Sequence, residues 1–533
     1  MFAASSSSFF ILRLPQARDA PRVGVYRFRG AGGAVAWPMR DGANLGLAGA
    51  WNLLFRLGFL PQVVALEGLP RPRRGDVLVV PAQPGNDLPI GSLQEWHAAG
   101  GMILASGATE AWSGLLGASL RVVRAGYPYA ALAAGGVEKV PQVVAPPGWP
   151  FLAGEAGRAT ALGYLLALRG ERQTPQRALI TPLTDAPAVL RHDGIVYLNG
   201  DPFAAYQAWL QGQEDLGPWL NWRHRLFWLD EQAAFLGRLL RRAEVVERLP
   251  GPGIPSLAET TIVLRHDLDA SRDTAYLEAE VAAGIPAVHA ILHDENTDFW
   301  LKALARHDDH ETALHYHTNT EPARWRRRVP FLRRSSSRSG PAHRRLVGRG
   351  LARQVEWAHD RGIGVATLHR HWSYILYPEL VDALDAVYRT LPDVTGSSSF
   401  FRGQVLRWGA RDAGESVGSF PDAQFPSWLP FRLAHAGDDG RMLAGWESTS
   451  VMEIEPDLLE QMLDHHIPEL AQRVFTLCFH PAHARRPTFT PQGSLADFRR
   501  ILGIIRARSL PCLTLAEVYR RFSAAAQQQG GAP

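Results

Sequence analysis

Short apolar runs recur along this chain, and most are followed by a segment whose apolar positions fall at helical spacing. In the first half, Arg22–Phe28, Gln62–Leu66, Asp76–Pro81 and Met102–Ala105 read as strands. Asn44–Gly58 reads as a helix, with Leu45, Leu47, Ala48, Trp51, Leu54 and Phe55 on one face, and Ser92–Ala99 as a second helix with Ser92 as its N-cap. The runs from Gln62 onward are apolar on both faces, as strands covered on both sides are, and the alternation predicts a parallel sheet with helices on each side. Between Phe151 and Leu240 the signals mix. Gly194–Pro202 looks like a strand leaving through a turn, Phe203–Trp209 like a short helix and Asp230–Ala243 like a longer one. Trp219, Trp222, Phe227 and Trp228 cluster just before the longer helix, a group better suited to sealing a domain interface than to stacking on sugar rings. Leu249–Pro255, with three prolines and two glycines, is a linker by composition.

Beyond the linker the period is strand, helix, strand again, but each apolar run now finishes in ionisable side chains. Thr261–Asp269 ends in two carboxylates, Asp267 and Asp269, which the two-residue repeat of a strand projects to the same side. His310–Asn319, Ile363–Trp372 and Val474–Pro481 end in histidines. The carboxyl ends of parallel strands are where α/β active sites collect, so these residues are the candidates for a metal, a base and an acid.

Composition narrows the classes. At 533 residues, with 46% hydrophobic and 20% charged positions, the chain is an ordinary globular protein of two or three domains. Its formal charge is +4, nearly all of the positive charge is arginine, and the dense run Arg324–Arg349 reads as a solvated surface; no nucleic-acid module accompanies it, so nucleic acid is not expected as a partner. Two cysteines cannot build a disulfide framework or a four-thiolate zinc site, and Cys478, inside an apolar run, is a small core residue. No apolar span is long enough to cross a membrane, and the segment up to Leu14 lacks the features of a signal peptide, so no membrane partner and a cytoplasmic location are expected.

In architecture, residues 20–210, with Gly100-Gly101 before a strand that runs into Ser106-Gly107, resemble the class I glutamine-amidotransferase-like fold. The nucleophilic cysteine of that fold has no counterpart before Cys478, and Ser106 at the strand-to-helix turn is read as a cap. Residues 260–520 resemble the polysaccharide deacetylase superfamily through motifs in family order: Arg265-His266-Asp267-Leu268-Asp269, Glu311–His315, Leu368–Trp372 and Leu477–His480. That resemblance implies a distorted (β/α) barrel, a divalent metal of zinc type and hydrolysis of an amide on a carbohydrate substrate. It further implies Asp267 as general base, Asp269 and His315 as metal ligands, Arg370 as the residue orienting the base, and His480 as the acid protonating the leaving amine. The usual His-x-x-x-His pattern is broken here, because Asn319 stands four residues after His315; Asn319 offers the metal a carbonyl oxygen, a weaker zinc ligand than imidazole, and His317, His369 or His371 would fill the second imidazole place. Trp372, Trp408 and Trp428, together with His371, are candidate substrate contacts. The expected fold is therefore α/β throughout: a flavodoxin-like, amidotransferase-like domain over residues 1–248, a linker at 249–258, a deacetylase-like barrel over 259–522 and a disordered tail at 523–533. The expected function is metal-dependent N-deacetylation of an amino-sugar glycan; the alternative is a silent relative that binds a sugar ligand or scaffolds partners.

Overall fold

The computed structural model describes residues 8–14, 25–30, 33–38, 42–82, 88–124, 129–133, 142–145, 150–169, 179–210, 222–250, 254, 257–268, 271–317, 341–371, 378–398, 401–402, 427–434, 442–470, 472–484 and 494–528. Asp269, Asn319, Trp372 and Trp408 lie outside them, as does most of the Arg324–Arg349 run.

The first half holds β1 (Phe9–Arg13), a hairpin of β2 (Val25–Gly30) and β3 (Gly33–Pro38), α1 (Gly42–Arg56), β4 (Gln62–Ala65), β5 (Val77–Val80), α2 (Ile90–Ala98), β6 (Met102–Ser106) and α3 (Ala111–Leu116). Then come β7 (Ser119–Arg124), β8 (Tyr129–Ala133), β9 (Gln142–Ala145), β10 (Pro150–Glu155), β11 (Thr160–Ala161), β12 (Tyr164–Arg169), β13 (Leu179–Pro187), β14 (Val189–His192), β15 (Ile195–Leu198), α4 (Pro202–Leu210) and α5 (Trp222–Arg242). Seven of these strands form one sheet in the order β11-β14-β15-β6-β5-β1-β4. Strands β4, β1, β5, β6 and β15 run parallel, while β14 and β11 turn antiparallel at one edge, so the sheet is mixed where an all-parallel one was expected. Alternation explains the wholly apolar runs: Phe9, Ile11, Val77 and Val79 enter one core, and Leu12, Leu78 and Val80 enter another on the opposite face. Three expectations change. The strand foreseen at 22–28 belongs to the β2–β3 hairpin, and the sheet takes Phe9–Arg13 instead. Ser92 lies inside α2, whose start is set by Pro89 with its restricted φ. The mixed signals from Phe151 onward begin in a set of strands inserted between β6 and β14, which pair antiparallel as β7–β10 and as β13-β12-β8-β9.

The second half holds β16 (Thr260–Leu268), α6 (Ala275–Ala283), β17 (Ala287–Leu292), α7 (Thr297–Leu304), β18 (Glu311–Tyr316), α8 (Pro341–Asp360), β19 (Thr367–Arg370), α9 (Pro378–Thr390), β20 (Gly396–Ser398) and β21 (Phe401–Arg402). It continues with β22 (Trp446–Glu447), β23 (Ser450–Met452), α10 (Pro456–Asp464), β24 (Arg473–Phe479), α11 (Leu495–Ala507) and α12 (Leu515–Gln528). Nine parallel strands follow the order β21-β23-β24-β16-β17-β18-β19-β20-β22. β22 lies at one edge of this sheet and β23 beside the other edge, yet only Ser448 and Thr449 separate them in the chain. The three peptide steps from Glu447 to Ser450 span at most about 11 Å, so the two edges are brought near one another and the sheet curls into a barrel. α12 extends to Gln528, and Trp446 Nε1 donates to Ser523 Oγ at 3.0 Å. Residues 523–528, expected as tail, are therefore helical, in keeping with their Ala and Gln content.

The two sheets meet at one end of the barrel. Arg56 of α1 pairs with Asp230 of α5 at 2.9 Å and donates to the carbonyl of Gln472, which directly precedes β24. Asn52 of α1 donates to the carbonyl of Arg432 at 2.8 Å and accepts from its backbone N–H at 2.9 Å. The Arg432 guanidinium lies between the Trp51 and Trp446 rings, 5.0 and 4.8 Å from their centroids. Phe227 packs on His465 and Trp428, placing part of the aromatic cluster at this interface. Gln472 binds the linker carbonyls of Ile254 and Leu257 at 2.6 and 2.9 Å. Trp446 and Gln472 stand at the amino-terminal ends of β22 and β24, so these contacts leave the carboxyl-terminal mouth of the barrel clear.

Candidate active site

The mouth is built around Asp267. It lies in the last turn of pleat of β16, 2% exposed, on the interior side of the barrel. Two residues earlier and therefore on the same side, Arg265 donates from Nε to Asp267 Oδ1 at 2.9 Å and from Nη2 to Oδ2 at 3.0 Å. Its remaining nitrogen reaches across the barrel to the Ser398 carbonyl at 3.1 Å, Ser398 Oγ at 3.0 Å and Ser450 Oγ at 3.3 Å. A buried pair of this kind fixes the carboxylate, and truncating either partner strands a charge without solvent.

Two imidazoles flank the carboxylate. His315 Nδ1, at the end of β18, lies 3.9 Å from Asp267 Oδ1, and His480 Nε2, just after β24, lies 3.8 Å from Oδ2. The other ring nitrogen of His480, Nδ1, stands 3.4 Å from Glu453 Oε1. Glu453 is buried and sits at φ +48°, a left-handed conformation that non-glycine residues seldom adopt, directly after β23. Its backbone N–H donates to the Cys478 carbonyl at 2.7 Å, which locks that conformation beside the strand carrying His480. Burial alone would raise the Asp267 pKa. The Arg265 guanidinium, then the imidazoles of His315, His480 and His369, outweigh it and hold the carboxyl well below the usual carboxylate range.

On the other side of His315 is a second imidazole pair. His315 Nε2 and His371 Nδ1 are 3.0 Å apart, one donating to the other, and the ring of His317 lies 4.6 Å from that of His371. Burial first, and then the neighbouring His315 and His317, push the His371 pKa down to about 3, so its ring carries a lone pair at neutral pH. His315, His317 and His371 thus bring three imidazoles together, with Asp267 at their edge.

The remaining candidates are placed differently. His369 is buried lower in the barrel, where its Nε2 meets Thr367 Oγ1 at 3.0 Å and Thr367 in turn donates to Glu311. Arg370 is buried next to it in β19, where strand alternation turns it to the other face; the fork on Asp267 comes from Arg265. Trp428, expected as a sugar wall, is fully buried against Phe475, and its carbonyl accepts from Val474 N–H at the opposite end of β24 from His480. It is a core residue, because a large apolar ring gains more from packing at the domain interface than at the mouth. Cys478 is a buried free thiol beneath Asp267. In the first half, Ser106 Oγ accepts from Ala82 N–H at 3.2 Å, a turn contact.

Arg265 and Glu453 had no expected role. Arg265 was legible by the same period-two argument that paired Asp267 with Asp269. Glu453 directly follows a strand of three residues, too short to stand out from its surroundings.

No protein-family model matches the sequence, and no curated protein matches it. Among solved structures, the chain is similar to a putative polysaccharide deacetylase involved in O-antigen biosynthesis from Bordetella bronchiseptica, at 16% identity over 49% of this chain and 89% of that one, with a TM-score of 0.25. It is also similar to a family 4 carbohydrate esterase from Streptomyces lividans in complex with acetate, at 10% identity over 49% of this chain and 92% of that one, with a TM-score of 0.25. The novel carbohydrate deacetylase Agd3 is 10% identical over 98% of this chain and 88% of that one, with a TM-score of 0.33. These likenesses are remote.

Proposed function

We propose that this protein is a metal-dependent hydrolase of a carbon–nitrogen bond that removes the acyl group from an amino sugar of a glycan or sugar conjugate. The observation that carries the proposal is the placement of Asp267 between His315 and His480, with one carboxylate oxygen toward each. His315, His317 and His371 would hold the divalent ion, with Asp269 added from the motif order. When bound, that ion supplies a Lewis acid for the acyl carbonyl and a more acidic water.

The protein side of the reaction divides between the two flanks. Asp267 takes the proton from the attacking water, and Arg265 keeps its two oxygens aimed at the two histidines. His480 gives a proton from Nε2 to the departing nitrogen, and the Glu453 carboxylate behind it faces Nδ1–H and stabilises the imidazolium from which Nε2 donates. The test is release of acetate from N-acetylated chito-oligosaccharides by the full-length chain. Activity should disappear in Asp267→Asn, fall about 10²–10⁴-fold in His480→Ala, and be lost with a chelator and restored by zinc. Turnover that survives Asp267→Asn overturns the proposal.

One observation favours a second reading, a sugar-binding relative without turnover: Arg265 occupies both Asp267 oxygens and makes the carboxylate a weak base. Binding of the same oligosaccharide that is indifferent to chelator, with no acetate released, selects it.

A further inference from the structure

On the outer face of the barrel wall, behind Asp267, lies a second group of ligand-type side chains that the reaction does not use. Alternation along β16 turns His266 outward, and its register partner on β17 is His289. Helix α6 covers both and brings Glu280 against them, while His310 enters from the turn before β18. All four are buried, His310 the least so at 7% exposure.

We propose that Glu280, His289 and His310 form a second metal site, distinct from the mouth of the barrel, that takes a divalent cation of the zinc class. Glu280 Oε2 is 3.5 Å from His289 Nε2 and 4.0 Å from His310 Nδ1, and the two nitrogens are 3.0 Å apart. Oxygen and nitrogen ligands at about 2.0–2.1 Å from a tetrahedral ion stand roughly 3.3 Å from one another, a value these separations bracket. Two imidazoles and one carboxylate are a donor set that such ions favour. The other carboxylate oxygen, Oε1, already accepts from His266 Nε2 at 2.5 Å, which orients the ligand from behind as outer-shell partners do. His310 Nε2 faces the exposed Asp309 carboxylate at 4.0 Å, beyond hydrogen-bond distance.

Without a cation Glu280 Oε2, one of the three ligand atoms, is buried with no hydrogen-bond partner, while His289 Nε2 and His310 Nδ1 hydrogen-bond only each other. The aromatic rings of Tyr276, Phe479 and Phe498 surround His266, so no solvent compensates the carboxylate. An ion here would tie α6 to β17 and to the start of β18, stiffening the wall whose inner face presents Asp267.

The experiment uses the full-length chain carrying Asp269→Ala and His315→Ala together, which removes assigned ligands of the catalytic metal. Loaded with zinc and dialysed, this variant should retain about one zinc per chain by elemental analysis, and adding His289→Gln should abolish it. A folded double variant that retains no zinc, or zinc that persists undiminished after His289→Gln, overturns the proposal. If His289→Gln fails to fold, His317→Ala and His371→Ala added to the double variant decide: zinc still bound by two imidazoles with oxygen neighbours in its zinc-edge X-ray absorption spectrum supports the site, and any other ligand set, or no zinc, refutes it.

Discussion

Both sheets of this protein present polar side chains at the carboxyl ends of their parallel strands, and the two ends behave differently. In the first sheet, the groups after β6 and β15 are consumed by the fold. Asn199 Oδ1 accepts from Leu152 N–H and Gly200 N–H at 2.8 and 2.9 Å, and its Nδ2 donates to the Leu152 and Pro187 carbonyls at 2.7 Å each. Tyr197 donates to the Gly107 carbonyl at 3.1 Å, and Asp201 accepts from Ala204 N–H at 3.0 Å, capping α4. In the barrel, side chains at the strand ends face one another: carboxylate against guanidinium and two imidazoles, imidazole against imidazole. Polarity at a strand end is thus only an opportunity. Where backbone groups use it up the end is structural, and where side chains converge on each other a reacting centre can form.

Four measurements would break or sharpen that contrast. Arg265→Met leaves the Asp267 carboxylate buried and unpaired, so it should cost about 3–5 kcal/mol in urea unfolding and abolish turnover. A loss under about 1 kcal/mol would mean the fork does not carry the charge balance of the barrel. Asn199→Ala should destabilise the protein by about 2–3 kcal/mol while kcat/KM stays at the wild-type value. Reduced turnover in a folded Asn199→Ala protein would join the first sheet to the reaction. Glu453→Gln should lower kcat/KM about 10–100-fold and shift the alkaline limb of its pH profile to lower pH, with little change in unfolding free energy. An unchanged profile would make Glu453 a structural residue.

The fourth measurement, at Asp201, reads a pH dependence and leaves turnover aside. Burial raises its pKa to about 7, against the hydrogen bonds from Ala204 and Ser106. A folded pKa above the unfolded one gives stability that is complete below about pH 4 and is lost as pH rises through about 7, at roughly 1.4 kcal/mol per pH unit in between. Asp201→Asn should remove that slope from the pH dependence of unfolding, and a slope that survives would assign it elsewhere.

Much of this was legible in local pattern. The period of β16, β17, β18 and β24, the helix stop at Gly284, and the collection of Asp267, His315 and His480 at strand ends all follow from alternation and punctuation, which act over a few residues. What local pattern could not rank was strength: β20, β21, β22 and β23 are two or three residues each, held by neighbours rather than by their own periodicity.

The sequence by itself determined the alternating architecture, the two carboxylates two residues apart and the order of the histidine-bearing motifs, because chirality and pleat decide which residues share a face. Only the tertiary structure decided which arginine grips Asp267, that Trp428 belongs to the core, that Glu453 stands behind His480, and that Glu280, His289 and His310 meet outside the barrel. Each of those depends on segments far apart in the chain, brought together by curling of the sheet and by the cost of leaving a buried charge without a partner.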